Sequence, residues 1–274
     1  MKVFISADIE GVSGVVHGEH TARNGREHDL ARRLMTGEVN AGILGALQGG
    51  AKEVVVNDSH GTMRNIVQDQ LSPEAELIIG SPKKLAMMEG IDSTFDVAFF
   101  IGYHTRMGTS GILNHTFSGR TIKSIIINGV EYGEFGLNAL VAGYYGVPVV
   151  FVSGCNLLAK EAVTYVPNIQ QGVVKKTINR TTAQNLHPEK AQSIIKEKST
   201  TAMSLKDKID PFVVEGPLTV EVEFLNTGLA DAAEILPVVK RITPLSVSFE
   251  TDDVLECYRF IRSLIMMASS TFSS

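Results

Sequence analysis

The sequence predicts an α/β fold. Residues 1–170 read as a three-layer α/β/α domain on a mostly parallel or mixed sheet, and residues 171–274 as a smaller α/β subdomain. Three observations carry this. Short β-branched runs alternate with longer amphipathic stretches. The early runs are continuously apolar, which marks strands covered on both faces. A strictly alternating run, Leu218-Thr219-Val220-Glu221-Val222-Glu223-Phe224, comes only late in the chain.

Taken in order, residues 3–7 form a first strand. Residues 30–47 form a helix, with Leu30, Leu34, Ile43, Leu44 and Leu47 at helical spacing and Gly49-Gly50 as the stop. The valine-rich run 53–57 is a second strand and 77–79 a short third. Residues 96–103 (DVAFFIGY) and 123–127 are further strands, and Asn128-Gly129 is a turn. Residues 133–145 have helical spacing, with Gly136, Ala139, Ala142 and Gly143 small enough for close packing. A strand at 147–152 and a helix at 156–166 close the first part. Beyond it lie a strand at 172–178, a polar helix at 188–208 opened by Pro188, the alternating strand, and a last helix capped by Thr251-Asp252-Asp253. No low-complexity linker separates the two parts, so the boundary near 170 is soft.

With 44% hydrophobic and 20% charged residues, the composition is that of a globular protein with a sizeable core. A formal net charge of −5 and the lack of a dense Lys/Arg run exclude nucleic acid as the main partner. The longest apolar stretch, 144–152, is too short to cross a membrane and contains Pro148. The start has no secretory h-region. Cys155 and Cys257 make no disulfide framework, so a cytoplasmic location is expected.

The acids and histidines fall at strand ends. Asp8 and Glu10 follow the first strand, Asn57-Asp58-Ser59-His60 the valine strand, and Gly102-Tyr103-His104 closes the Phe-Phe-Ile strand. Loops beyond the carboxyl ends of parallel strands share one edge, where ligands bind. Three strands therefore deliver metal-competent side chains to one place. Glu134 opens a helix and has two readings: a carboxylate favoured by the helix N-terminus, or a further ligand. Two imidazoles and three carboxylates without a thiolate suit zinc and also accept Mn²⁺ or Co²⁺. Five ligands exceed the usual three of one catalytic zinc, so two ions about 3.5–4 Å apart use them better. Asp8, at the very end of its strand, is the best bridge; Glu10 then pairs with His60 and His104 with Glu134.

Four segments resemble one family. Ala7-Asp8-Ile9-Glu10-Gly11-Val12-Ser13-Gly14, Val56-Asn57-Asp58-Ser59-His60, Gly102-Tyr103-His104 and Gly133-Glu134-Phe135-Gly136-Leu137-Asn138-Ala139 are similar to the signatures of the DppA-type D-aminopeptidases, a zinc peptidase family. The likeness extends to Val174-Lys175-Lys176-Thr177-Ile178-Asn179-Arg180. It implies two zinc ions per chain on Asp8, Glu10, His60, His104 and Glu134, and a catalytic role for His115. It also implies ring-shaped homodecamers with an internal chamber, and short peptide substrates with an N-terminal D-amino acid, D-alanine above all. Zinc lowers the pKa of bound water to roughly 7, so a water activated by the pair suits attack on a peptide carbonyl. The chain departs from the family where Gly154-Cys155-Asn156 replaces the usual Gly-Asp, which bears on substrate preference.

Two other functions fit the same ligands. A two-metal phosphoesterase needs cations to neutralise phosphoryl oxygens, and only Arg64, Arg106 and Arg120 stand near the motifs. A non-catalytic peptide- or metal-binding accessory protein would not need an open coordination position. The segment 17–29, with His17 and His20, is expected to be a solvated loop or cleft wall, and Gly11 and Gly14 to let the backbone pass close to the site rather than cradle phosphate. Asp58 either orients His60 or caps its turn. Cys257 reads as a buried small hydrophobe.

Overall fold

The computed structural model describes residues 1–273 of the chain. Two sheets form its frame, one of seven strands and one of five. The chain runs through β1 (Lys2–Ala7), a single turn α1 (Gly18–Thr21), the long helix α2 (His28–Gln48), β2 (Glu53–Asp58), β3 (Ala75–Ile78) and β4 (Val97–Tyr103). It continues with β5 (Ile122–Ile127), β6 (Val130–Glu131), α3 (Glu134–Tyr144), β7 (Val149–Cys155), α4 (Asn156–Tyr165), β8 (Gln170–Asn179) and β9 (Thr182–Asn185). The last elements are α5 (Pro188–Met203), β10 (Leu218–Phe224), α6 (Thr227–Ala233), β11 (Lys240–Arg241), β12 (Ser246–Thr251) and α7 (Val254–Ser270).

The larger sheet runs β3-β2-β1-β4-β7-β8-β9 and is parallel apart from the edge strand β9. Every residue of β4 and β7 is buried, the outcome expected of continuously apolar strands. Successive residues of β4 face opposite layers. Ile101 points at Gly42 of α2, where an added Cβ would lie 2.3 Å from its Cδ1. Phe100 meets Phe135 of α3 edge-on at 5.5 Å. Helices α2 and α5 pack on each other and on the sheet; α3 and α4 also lie against it. The three-layer α/β/α arrangement follows from these contacts.

The smaller sheet, ordered β11-β12-β10-β5-β6, is antiparallel throughout. Leu218, Val220, Val222 and Phe224 of β10 point inward, and α6 and α7 cover that face. Residues on both sides of position 170 contribute to both sheets. β5 and β6 come from before it and join the smaller sheet, whereas β8 and β9 come from after it and extend the larger one. A local apolar pattern identifies a strand but not its partner. The polar helix expected over 188–208 stops at Met203, and a separate 3₁₀ turn follows at Lys206–Lys208.

The order in which strands are added to the larger sheet reverses between β1 and β4. β2 and β3 lie on one side of β1, and β4, β7 and β8 on the other. This switch point leaves a crevice beyond the strand ends. Among the described residues no helix is long and apolar enough to cross a membrane.

Candidate metal centre

The loop leaving β1 is pressed onto the end of β4. Asp8 N–H donates to Ile101 O at 2.8 Å and Gly11 N–H to Gly102 O at 2.7 Å. A Cβ on Gly11 would lie 2.0 Å from Tyr103 O, and one on Gly102 (φ +72°) 2.2 Å from Asp8 O. Only glycine fits on both sides of such a contact. Behind the loop sits Lys175, a fully buried lysine whose ammonium donates to Glu10 O at 2.6 Å, Val12 O at 2.8 Å and Val15 O at 2.6 Å. Ser13 N–H donates to the buried Glu38 carboxylate at 2.8 Å. Burial pushes Lys175 down to about 8 against the opposing charge of Glu38, and pushes Glu38 up to about 7.

Asp8, Glu10, His60, His104 and Glu134 converge on one buried point. His60 Nδ1 lies 3.3 Å from Asp8 Oδ1 and 3.1 Å from Glu10 Oε2. His104 Nε2 lies 3.4 Å from Asp8 Oδ2 and 3.3 Å from Glu134 Oε1. Asp8 thus turns one oxygen to each histidine, with Glu10 on one side and Glu134 on the other. The second nitrogen of each ring is anchored to the backbone. His60 Nε2–H donates to Thr21 O at 2.9 Å and His104 Nδ1–H to Thr105 O at 2.9 Å. Those bonds orient each ring so that its other nitrogen faces the carboxylates, the nitrogen that would bind a metal ion in place of a proton.

Asp8 Oδ2, Glu10 Oε2 and His104 Nε2 are buried with no hydrogen-bond partner among the described residues. Orphaned acceptors are costly unless a cation joins them. Two atoms each roughly 2.1 Å from a tetrahedral ion stand roughly 3.4 Å apart. The four separations above match that bite, so the residues present fit zinc.

Electrostatics point the same way. Burial, then the charge of Glu10, pushes Asp8 up to about 7. Burial also raises Glu10 and Glu134, but their histidine neighbours outweigh it, holding Glu10 well below and Glu134 below the usual carboxylate range. Burial lowers His60 and His104, yet the facing carboxylates lift both well above the ordinary value. The carboxylate cluster calls for positive charge at its centre.

Glu134 does not cap its own helix; its Oε1 accepts Phe117 N–H at 2.6 Å. His115 stacks on His104 with ring centroids 4.2 Å apart. Its Nδ1–H donates to Leu113 O at 2.9 Å, and its Nε2 stands 3.6 Å from Glu134 Oε1. Burial and the neighbouring His104 lower its pKa. Leu113 and Phe117 both hold positive φ, +49° and +55°, uncommon for such residues, so the loop around His115 is tightly determined.

Asp58 caps the turn rather than touching His60. It accepts Asn65 N–H, Asn65 Nδ2–H and Ile66 N–H at 2.5–2.8 Å, while Asn65 Nδ2–H also donates to His60 O. Segment 17–29 holds the short helix α1 and the start of α2, and its Thr21 carbonyl orients His60. Cys155 lies buried at the N-terminus of α4, where its sulfur accepts Leu158 N–H at 3.4 Å. A cavity of about 110 Å³ opens beside the cluster, lined by Asp8, His60, His115, Phe117, Glu134 and Arg262 among others. A larger cavity of about 710 Å³, walled by Tyr132, Tyr165 and Phe212, holds none of these residues.

A family model described as D-aminopeptidase matches residues 1–263. The chain belongs to the D-aminopeptidase family. It is 39% identical over 272 residues to a D-aminopeptidase of Bacillus subtilis (strain 168), covering 99% of each chain. A solved structure described as the Zn-dependent D-aminopeptidase DppA from Bacillus subtilis, a self-compartmentalizing protease, matches with a TM-score of 0.96 and 38% identity over 98% of both chains.

Sequence reasoning missed Lys175, Thr21, Phe117 and Arg262 in this D-aminopeptidase fold. Arg106 is spent on an ion pair with Glu131 at 2.6 Å, and Arg120 lies over Phe272. The arginine at the cavity comes instead from α7, whose register no motif revealed.

Proposed function

We propose that this chain is a zinc-dependent D-aminopeptidase that removes an N-terminal D-amino acid, D-alanine by preference, from short peptides. Two ions are held per chain, Glu10 and His60 on one side, His104 and Glu134 on the other, and Asp8 between. The observation that carries this is the two-sided Asp8 carboxylate, with orphaned buried acceptors beside it. Family membership makes the reaction peptide hydrolysis.

Bound zinc supplies Lewis acidity toward the carbonyl and lowers the pKa of water to roughly 7. The chain's own residues do the rest. Thr21 and Thr105 carbonyls hold the two imidazoles in the productive tautomer. His115, anchored through Nδ1–H, presents a bare Nε2 to the cavity, where it takes a proton from the attacking water and then passes it to the leaving amine. A cavity of only about 110 Å³ favours a small N-terminal side chain.

Likeness to a self-compartmentalizing relative supports a closed homo-oligomer, which we read as a homodecamer. Two buried free thiols, Cys155 and Cys257, suit the cytoplasm. The test is release of D-alanine from matched D- and L-dipeptides, with a phosphate ester as control. Turnover lost with a chelator and regained with zinc is expected for D-dipeptides. No turnover on any D-amino-acid peptide by fully metallated protein would sink the reading.

A further inference from the structure

One wall of the small cavity comes from neither the metal-facing residues nor their loops. Arg262 of α7 lines it together with Asp8, His60, His115 and Glu134. Its guanidinium lies over the Phe117 ring, 5.0 Å from the centroid. Phe117 is itself tied to the cluster, because its N–H donates to Glu134 Oε1, and its ring meets Tyr258 edge-on at 5.8 Å. Tyr258 sits one helical turn before Arg262 on α7, and its hydroxyl donates to Asn138 at 2.8 Å. The arginine therefore rests on a floor that is packed on one side and bonded to the cluster on the other.

Among the described residues no carboxylate lies within ion-pair distance of Arg262, whereas Arg106 has one and Arg241 two. A guanidinium seated over an aromatic ring and lining a cavity is suited to receive a carboxylate. The cavity is small, and two residues of extended chain span at most roughly 7 Å. A peptide with its amino end at the cluster would then bring its own C-terminal carboxylate to this arginine only if it were very short.

Resting on the D-aminopeptidase reading, we infer that Arg262 binds the substrate's C-terminal carboxylate, so the preferred substrate is a free-acid dipeptide. The interaction sets which peptides enter and where their scissile bond lies. It takes no part in bond breaking.

The test compares D-Ala-D-Ala with its C-terminal amide, using zinc-loaded full-length protein and Arg262→Gln. Wild type is expected to favour the free acid by roughly 10- to 100-fold in kcat/KM, mostly through KM, the size of a charge-assisted hydrogen bond. Arg262→Gln brings the acid-to-amide ratio close to one, and Arg262→Lys keeps part of the preference. Equal rates on acid and amide in wild type, a comparison that needs no variant, would overturn the assignment. So would a loss in Arg262→Gln that falls equally on both substrates, which would mark a packing role on Phe117. Either result leaves the D-aminopeptidase reading in place. Failure of wild type to cleave either compound overturns that reading and this inference with it.

Discussion

Lys175→Met isolates the support beneath the centre. The methionine keeps the apolar stem but removes the ammonium that holds Glu10, Val12 and Val15 carbonyls at 2.6–2.8 Å. Each orphaned buried acceptor costs roughly 1–3 kcal/mol. Glu38 also loses the cation whose charge acts on it. Val12 O keeps the Val15 N–H at 3.1 Å, so two acceptors are orphaned, and with Glu38 left unbalanced the loss should approach that of breaking a buried ion pair, about 3–5 kcal/mol. At about 2–4 °C per kcal/mol for a domain of this size, Tm falls by roughly 6–20 °C. Because the loosened loop carries Glu10, zinc affinity should fall too, by about 10- to 100-fold, as when an outer partner of a metal ligand is lost. Calorimetric melting of metal-free protein and chelator-competition titration read the two effects separately. A large drop in Tm with unchanged zinc affinity would refute the claim that Lys175 positions the ligand loop; an unchanged Tm would refute the energetic argument altogether.

Two further outcomes follow from the same geometry. His115→Ala should lower kcat by at least 100-fold, within the range of general acid–base contributions, while zinc content stays that of wild type; loss of zinc as well would make His115 a ligand. Glu38 binds its proton more tightly in the fold, with a pKa of about 7 against an ordinary 4.5. Its contribution is therefore fully present below 4.5 and lost as pH rises through 7. Glu38→Gln removes that loss, so the Tm difference between variant and wild type should grow from about pH 5 to about pH 7.5. A constant difference across that window counts against a buried, reluctantly ionised Glu38.

Much of the frame was legible because covered parallel strands advertise themselves. The runs that became β1, β2, β4 and β7 were apolar without alternation, and their ends carried Asp8, His60 and His104. What could not be read was long-range. The segment Ser246–Thr251 alternates between buried and exposed positions, yet its serine and threonine disguised it, and it emerged only as the partner of β10. Lys175 stood in a family-like segment, but its role under the site was illegible for a related reason. Inward positions of β8 run through Gly172 and Val174, so simple alternation turns residue 175 away from them. A register shift between Gly154 and Cys155 on β7 re-aims the strand there. Arg262 reaches the cavity from a helix that follows Glu134 by more than a hundred residues, and its meeting with Phe117 depends on how α7 docks. Glu134 had two readings in sequence; its bond to Phe117 N–H rather than to its own helix is a tertiary fact.

The central claim is a paired metal centre bridged by Asp8. Its most direct test is zinc content per chain, measured by elemental analysis after metal-free protein is reloaded and desalted. About two zinc ions per chain are expected for wild type, about one for Glu134→Ala, and fewer than one for Asp8→Ala, since Asp8 faces both histidines. A single zinc in wild type, or two in Asp8→Ala, would contradict the account.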